Sequence, residues 1–87
     1  RDLVVYPNPV RPEYQGNIAV KGMMNNSVVK IIDASGIHIR TIFSNGGQAV
    51  WDGLDKNNQL VGSGVYYFLA TSEDGYSKAK SKILIIR

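Results

Sequence analysis

The sequence predicts an all-β fold, a seven-stranded antiparallel sandwich, on three observations. Short runs rich in β-branched and aromatic residues recur along all 87 positions. Each run is closed by Gly, Pro, Asn, Asp or Ser, the residues that turn a chain. No 11-residue window carries the apolar period of an amphipathic helix.

The elements follow in order. Leu3 to Tyr6 is the first run, and Pro7-Asn8-Pro9 ends it; proline cannot donate to a ladder, so this strand is an edge or bends there. Asn17 to Lys21 comes after a polar loop. Val28 to Asp33 and Ile37 to Phe43 are joined by Asp33-Ala34-Ser35-Gly36, a tight hairpin in which Gly36 takes the positive-φ position. Alternation along the second of these puts Ile37, Ile39, Thr41 and Phe43 on one face and His38, Arg40 and Ile42 on the other. Asn45-Gly46-Gly47 turns into the short strand Gln48 to Trp51. A polar loop from Asp52 to Ser63 leads to Val65 to Ser72, and the Glu73-Asp74-Gly75 turn opens the last strand, Ser77 to Ile86. Seven short strands with frequent turns in so few residues predict an immunoglobulin-like β-sandwich. The expected core comprises Ile31, Ile39, Trp51, Tyr67 and Leu69, with Ile83 and Ile85 buried from the last strand. Tyr66 and Phe68 are expected on the opposite face, covered by the rest of a parent protein or by a partner.

Composition narrows the function classes. At 87 residues the chain makes one domain with one core. It starts at Arg1 without a methionine and directly on a strand-like run, so residues 1–87 read as a single domain excised from a longer protein. No apolar run approaches the roughly 18 residues that span a bilayer as a helix. With no cysteine, disulfides, thiolate chemistry and cysteine metal sites are all excluded, while the compartment stays open. The net charge of +3 is modest, and nucleic-acid binding, which uses a denser basic face with stacking aromatics, is not expected.

Three groups of residues could carry chemistry, and each has a plainer reading. His38 is the single histidine, and a hydrolase needs a base beside its nucleophile. Asp33 and Ser35 lie in the same hairpin, but the neighbours of His38 place it on an exposed, mixed face. The loop Asp55-Lys56-Asn57-Asn58-Gln59 has the alternation of a calcium loop, yet Leu60 and Tyr66 stand where the glycine and the bidentate carboxylate belong. It reads as a solvated turn. Trp51 could stack on a ligand, although a sandwich of this size commonly buries one large aromatic. No catalytic residue, metal site or cofactor is assigned, and the chain is expected not to be an enzyme.

The last ten residues stand apart, with four positive charges and no negative one. Lys78, Lys80 and Lys82 form a stripe on one face of a strand, while Ala79, Ser81, Ile83 and Ile85 point to the other. Ile83-Leu84-Ile85-Ile86 and then Arg87 close the sequence. The stripe has two readings: a recognition signal, or lysines that protect an edge strand from edge-to-edge aggregation.

Five segments, taken in order, carry a family resemblance: Val5-Tyr6-Pro7-Asn8-Pro9-Val10, Val29-Lys30-Ile31-Ile32-Asp33-Ala34-Ser35-Gly36, Trp51-Asp52-Gly53, Gly62-Ser63-Gly64-Val65-Tyr66-Tyr67, and Lys82-Ile83-Leu84-Ile85-Ile86-Arg87. The set resembles the carboxy-terminal sorting domain of type IX secretion cargo in Bacteroidetes, and its relative, the immunoglobulin-like domain of flagellar hook-capping proteins. The resemblance spans nearly the whole chain. It implies a module at the end of an exported protein, read by an outer-membrane translocon and, in most cargo, removed by a surface sortase that joins the mature protein to an anionic lipopolysaccharide. By the same resemblance the export determinant falls on Lys82, Ile83, Leu84, Ile85, Ile86 and Arg87, with Gly62, Ser63, Gly64, Val65 and Tyr66 as a second motif. Tyr6-Pro7-Asn8-Pro9 takes the place of the junction motif. Similar domains also end accessory proteins of the machinery that carry β-propellers, and there they are retained.

The expected function is therefore a sorting module that delivers a protein through the periplasm to the outer-membrane surface. Recognition would proceed by β-augmentation, with the main chain of the final strand pairing to a receptor edge and Lys78, Lys80 and Lys82 supplying charge complementarity. Two alternatives stay open: a structural immunoglobulin-like module packed on a propeller or hydrolase, and a module that binds an acidic glycan or lipopolysaccharide.

Overall fold

The computed structural model describes residues 3–87; Arg1 and Asp2, which precede the expected first run, lie outside the described residues. Seven strands follow in order: β1 (Val4–Tyr6), β2 (Ile18–Lys21), β3 (Val28–Asp33), β4 (His38–Phe43), β5 (Gln48–Trp51), β6 (Gly64–Thr71) and β7 (Lys78–Ile85). Every one lies within a residue of the run that predicts it. The strands form two antiparallel sheets, one in the order β1-β2-β5 and the other β4-β3-β6-β7, so the fold is a β-sandwich. β1 is an edge strand, and Pro7 and Pro9 follow directly after it.

The turns obey their residues. In the β3–β4 hairpin the Asp33 carboxylate accepts from the backbone N–H groups of Ser35 and Ile37, both at 2.9 Å, and Gly36 sits at φ +86° with open space around it. Gly75 takes φ +82° before β7. Both positions demand a left-handed backbone, which glycine adopts without steric cost.

The core lies between the sheets. Val20 on β2 and Ala49 and Trp51 on β5 face Val29 and Ile31 on β3, Tyr66, Phe68 and Ala70 on β6, and Ile83 and Ile85 on β7. Trp51 is its centre, fully buried, with Phe68 edge-on at 5.6 Å between ring centroids and Tyr66 tilted at 5.9 Å. Such aromatic pairs add roughly 0.5–1.5 kcal/mol beyond the area they bury. The Trp51 indole N–H donates to Leu54 O at 2.9 Å, so burial leaves it satisfied.

Two core expectations are corrected. On β6 the inward row is Tyr66, Phe68 and Ala70, whereas Tyr67 and Leu69 are 37% and 41% exposed. Both rows of this strand are apolar, so alternation alone does not orient it. Its neighbours do: Phe68 pairs with Ile31, and Leu69 pairs with Lys30 on one side and Lys80 on the other. On β4, Ile37 precedes the strand and is exposed, as is Phe43, while Ile39 and Ile42 are half-buried against the core. The pairing with β3 runs from Ile31–Arg40 to Ile32–His38, which makes Ile39 an extra residue, and this bulge breaks the alternation.

Candidate recognition site

β7 is the last strand of its sheet, and its two faces differ sharply. Ile83 and Ile85 are 1% and 0% exposed in the core, while Lys78, Lys80, Lys82 and Leu84 point to solvent. The alternation read from the sequence is therefore what the fold uses.

The outer edge of β7 is not open. Past β1 the chain bends at Pro7 and Pro9 and crosses to the other sheet, where Val10 forms a parallel bridge with Ile85. Val10 N–H donates to Leu84 O, and Ile86 N–H donates to Val10 O, both at 2.8 Å; Leu3 N–H donates to Lys80 O at 2.9 Å. Between these the Asn8 carboxamide acts as a short piece of strand. Its Nδ2 donates to Lys82 O and its Oδ1 accepts from Leu84 N–H, both at 3.2 Å. Pro7 and Pro9 on either side have no N–H to give a ladder, and the asparagine side chain supplies both a donor and an acceptor there. Residues 3–10 thus occupy the edge from Lys80 to Ile86. This counts against the expectation that the main chain of β7 adds to a receptor sheet: the carbonyls of Lys80, Lys82 and Leu84 and the N–H groups of Leu84 and Ile86 are already bonded within the domain.

The second motif meets the same terminus. Tyr66 O–H donates to Gly62 O at 2.8 Å, bracing the Gly62-Ser63-Gly64 loop against the root of β6. Ser63 Oγ accepts from Arg87 N–H at 2.8 Å, and Arg87 Nε donates to Val61 O at 2.9 Å. Burial, then the field of Asp33, push the Tyr66 hydroxyl above the ordinary tyrosine range, against a smaller opposite pull from Arg87. Three segments far apart in sequence, Tyr6 to Val10, Gly62 to Tyr66 and Lys82 to Arg87, are joined by hydrogen bonds around one strand end. Beside it a cleft of about 410 Å³ opens between Val10, Tyr14, Leu60, Asp52 and Arg87. Sequence reading places Asn8 in the strand-ending Pro7-Asn8-Pro9 and in the junction motif and misses that its side chain bonds to β7; an amide flanked by prolines next to a strand is the signal that marks it.

The other candidates take their plainer roles. His38 is exposed, and its Nε2 lies 2.8 Å from Thr41 Oγ1, while the Asp33 carboxylate serves the hairpin. Asp55 Oδ1 accepts from the N–H groups of Asn57 and Gln59, closing the 55–59 loop as a turn. Among the described residues no cluster of three or more His, Asp or Glu side chains is placed to hold a metal ion. Among the same residues no helix is long and apolar enough to cross a membrane.

No protein-family model matches the sequence, and no curated protein matches it. Among solved structures, PorZ, an essential bacterial surface component of the type-IX secretion system of human oral-microbiomic Porphyromonas gingivalis, matches with a TM-score of 0.85 and 28% sequence identity. The match covers 98% of this chain and 11% of PorZ. At the level of a single domain, this sandwich is similar to part of a surface component of type IX secretion.

Proposed function

We propose that the domain is a non-catalytic sorting and recognition module of type IX secretion, with Lys78, Lys80, Lys82 and Ile83 to Arg87 as the segment that the translocon and the surface attachment machinery read. The observation that carries this reading is the likeness to PorZ along nearly all of the chain. Hydrogen bonding of the three motif segments around the end of β7 supports it, because a signal presented on a folded strand end needs that end held in one conformation.

The same reading includes an immunoglobulin-like type for the sandwich. β1, β2 and β5 correspond to strands A, B and E, and β3, β6 and β7 to C, F and G, with β4 beside β3 where a C′ strand lies. Tyr66, near the start of β6, bonds back to a carbonyl four residues upstream in the manner of a tyrosine corner. The buried tryptophan departs from the antibody pattern, since it sits on β5 rather than on the strand equivalent to C.

One observation favours a second reading. The chain spans 11% of PorZ, a surface component, which supports reading the domain instead as a retained module of a larger surface protein. A fusion assay separates the two. Residues 1–87 placed after a fluorescent protein should carry it to the surface of a type IX-competent cell. Fluorescence retained in the periplasm, with the domain folded, would reject the sorting reading and leave the retained module.

A further inference from the structure

We propose that the outward face of β3, β6 and β7 is a docking surface for an extended acidic polypeptide segment lying along β6 and β7. This deepens the sorting reading by naming the chemistry of the partner at the lysine row.

The case starts with what the lysines are not doing. A lysine row on a terminal strand ordinarily keeps that edge from pairing with another chain. Here the edge from Lys80 to Ile86 is already covered by Leu3, Asn8 and Val10. The protection would be redundant along most of the strand. The lysines instead stand on the sheet face, in register with an exposed apolar row. Lys82 is opposite Tyr67, Lys80 opposite Leu69 and Lys78 opposite Thr71. On the far side of β6, Lys30 is opposite the same Leu69, so that leucine lies between two cations.

Along its strands the face is one-signed, with Glu73 bordering it at the Lys30 and Thr71 end. The outward positions of β3, β6 and β7 carry Lys30, Lys78, Lys80 and Lys82 and no carboxylate. Among the described residues the single ion pair is Arg40–Asp52 at 3.9 Å, away from this face. Two shallow grooves, of about 520 and 440 Å³, run along β6 and β7 and share Leu69 and Lys80. Tyr67 and Leu69 are each more than a third exposed, and they supply an apolar floor that four solvated lysines do not need.

The period selects the occupant. Lysines two residues apart on a strand repeat at roughly 6.6–6.8 Å, the same repeat as the side chains on one side of an extended peptide. A segment alternating Glu or Asp with apolar residues places its charges over Lys78, Lys80 and Lys82 and its apolar groups over Tyr67 and Leu69. A flat membrane surface has no reason to match that repeat, and it would leave the grooves unfilled.

The test measures anisotropy of a short fluorescein-labelled peptide that alternates Glu with Val and Thr, titrated with the 87-residue chain at low ionic strength. Binding is expected, and it should weaken by about ten-fold or more in K78Q/K80Q/K82Q, the scale for losing three partly exposed ion pairs. It should weaken several-fold in Tyr67→Ser, which leaves the charge unchanged, and stay constant in the control R11Q/K56Q, with melting curves verifying that each variant is folded. Unchanged affinity in the triple variant would overturn the proposal. So would absence of binding, or tighter binding of the face to phosphatidylglycerol vesicles or to a phosphorylated polysaccharide than to the peptide. Because the readout is made without cells, such a failure leaves the fusion assay free to support the sorting reading by itself.

Discussion

Phe68→Leu set against Leu69→Ala tests the arrangement of the core. Phe68 is fully buried with its ring edge-on to Trp51 at 5.6 Å, whereas its neighbour Leu69 is 41% exposed on the outer face. Replacing Phe68 by leucine removes a ring contact and leaves a small void, costing roughly 1–2 kcal/mol, and complete truncation to alanine roughly 3–5 kcal/mol. For a domain of this size, whose whole stability is about 4–13 kcal/mol, the alanine variant is close to unfolded, so leucine is the more useful probe. Each kcal/mol lowers Tm by about 4–8 °C in this size range, so Phe68→Leu should melt at least several degrees lower. Leu69→Ala removes a side chain that already meets water and should cost well under half of what a buried leucine does, about 1 kcal/mol or less. The assay is thermal and urea unfolding followed by circular dichroism. A Leu69→Ala variant that loses more stability than Phe68→Leu would refute the orientation of β6 and with it the exposed apolar row.

Three further outcomes follow from the hydrogen bonds and backbone. Asn8→Ala removes both side-chain bonds to β7 and should cost about 1–2 kcal/mol in urea unfolding, with faster amide exchange at Leu84; unchanged exchange would detach residue 8 from the edge. Gly36→Val should destabilise by about 1–2 kcal/mol although nothing crowds the site, because the cost is the left-handed backbone itself; Gly36→Asn should recover most of it, and equal melting of glycine and valine proteins would contradict φ +86°. For Tyr66 the folded state favours the neutral hydroxyl, so the unfolded chain releases that proton first. Stability should therefore hold level below the ordinary tyrosine range and fall as pH rises through and above it. Tyr66→Phe should flatten that alkaline decline while losing the bond to Gly62, and an unchanged decline between pH ~9 and ~11 would remove Tyr66 as its source.

The sequence by itself determines the seven strands and where they begin and end. Alternation of side chains and the turn residues between runs are local properties, encoded within a few positions of where they act. Gly36 and Gly75 at positive φ, the buried Ile83 and Ile85 and the solvent-facing Lys78, Lys80 and Lys82 belong to that local code, because each strand concerned has one apolar row and one polar one. β6 does not. With Tyr66, Phe68 and Ala70 on one side and Val65, Tyr67 and Leu69 on the other, its orientation is decided only by pairing with the lysine-bearing rows of β3 and β7. The same holds for the bulge at Ile39, which a count of alternating positions passes over.

What only the tertiary structure decides is how the edge of β7 is closed. The residues that close it, Asn8 and Val10, lie more than seventy positions from Leu84 and Ile85, and no local pattern links them. Read alone, a lysine-led terminal strand is an open edge offered to a receptor. Folded, the carbonyls of Lys80, Lys82 and Leu84 and the N–H groups of Leu84 and Ile86 are taken by residues 3–10 of the same chain, since a sheet-edge polar group gains most from a partner that the domain itself holds in place. What remains available to a partner is the face, where lysines from β3 and β7 stand beside Tyr67 and Leu69 of β6. That surface exists only once the strands are paired in register, so the chain alone encodes its residues and the fold assembles them.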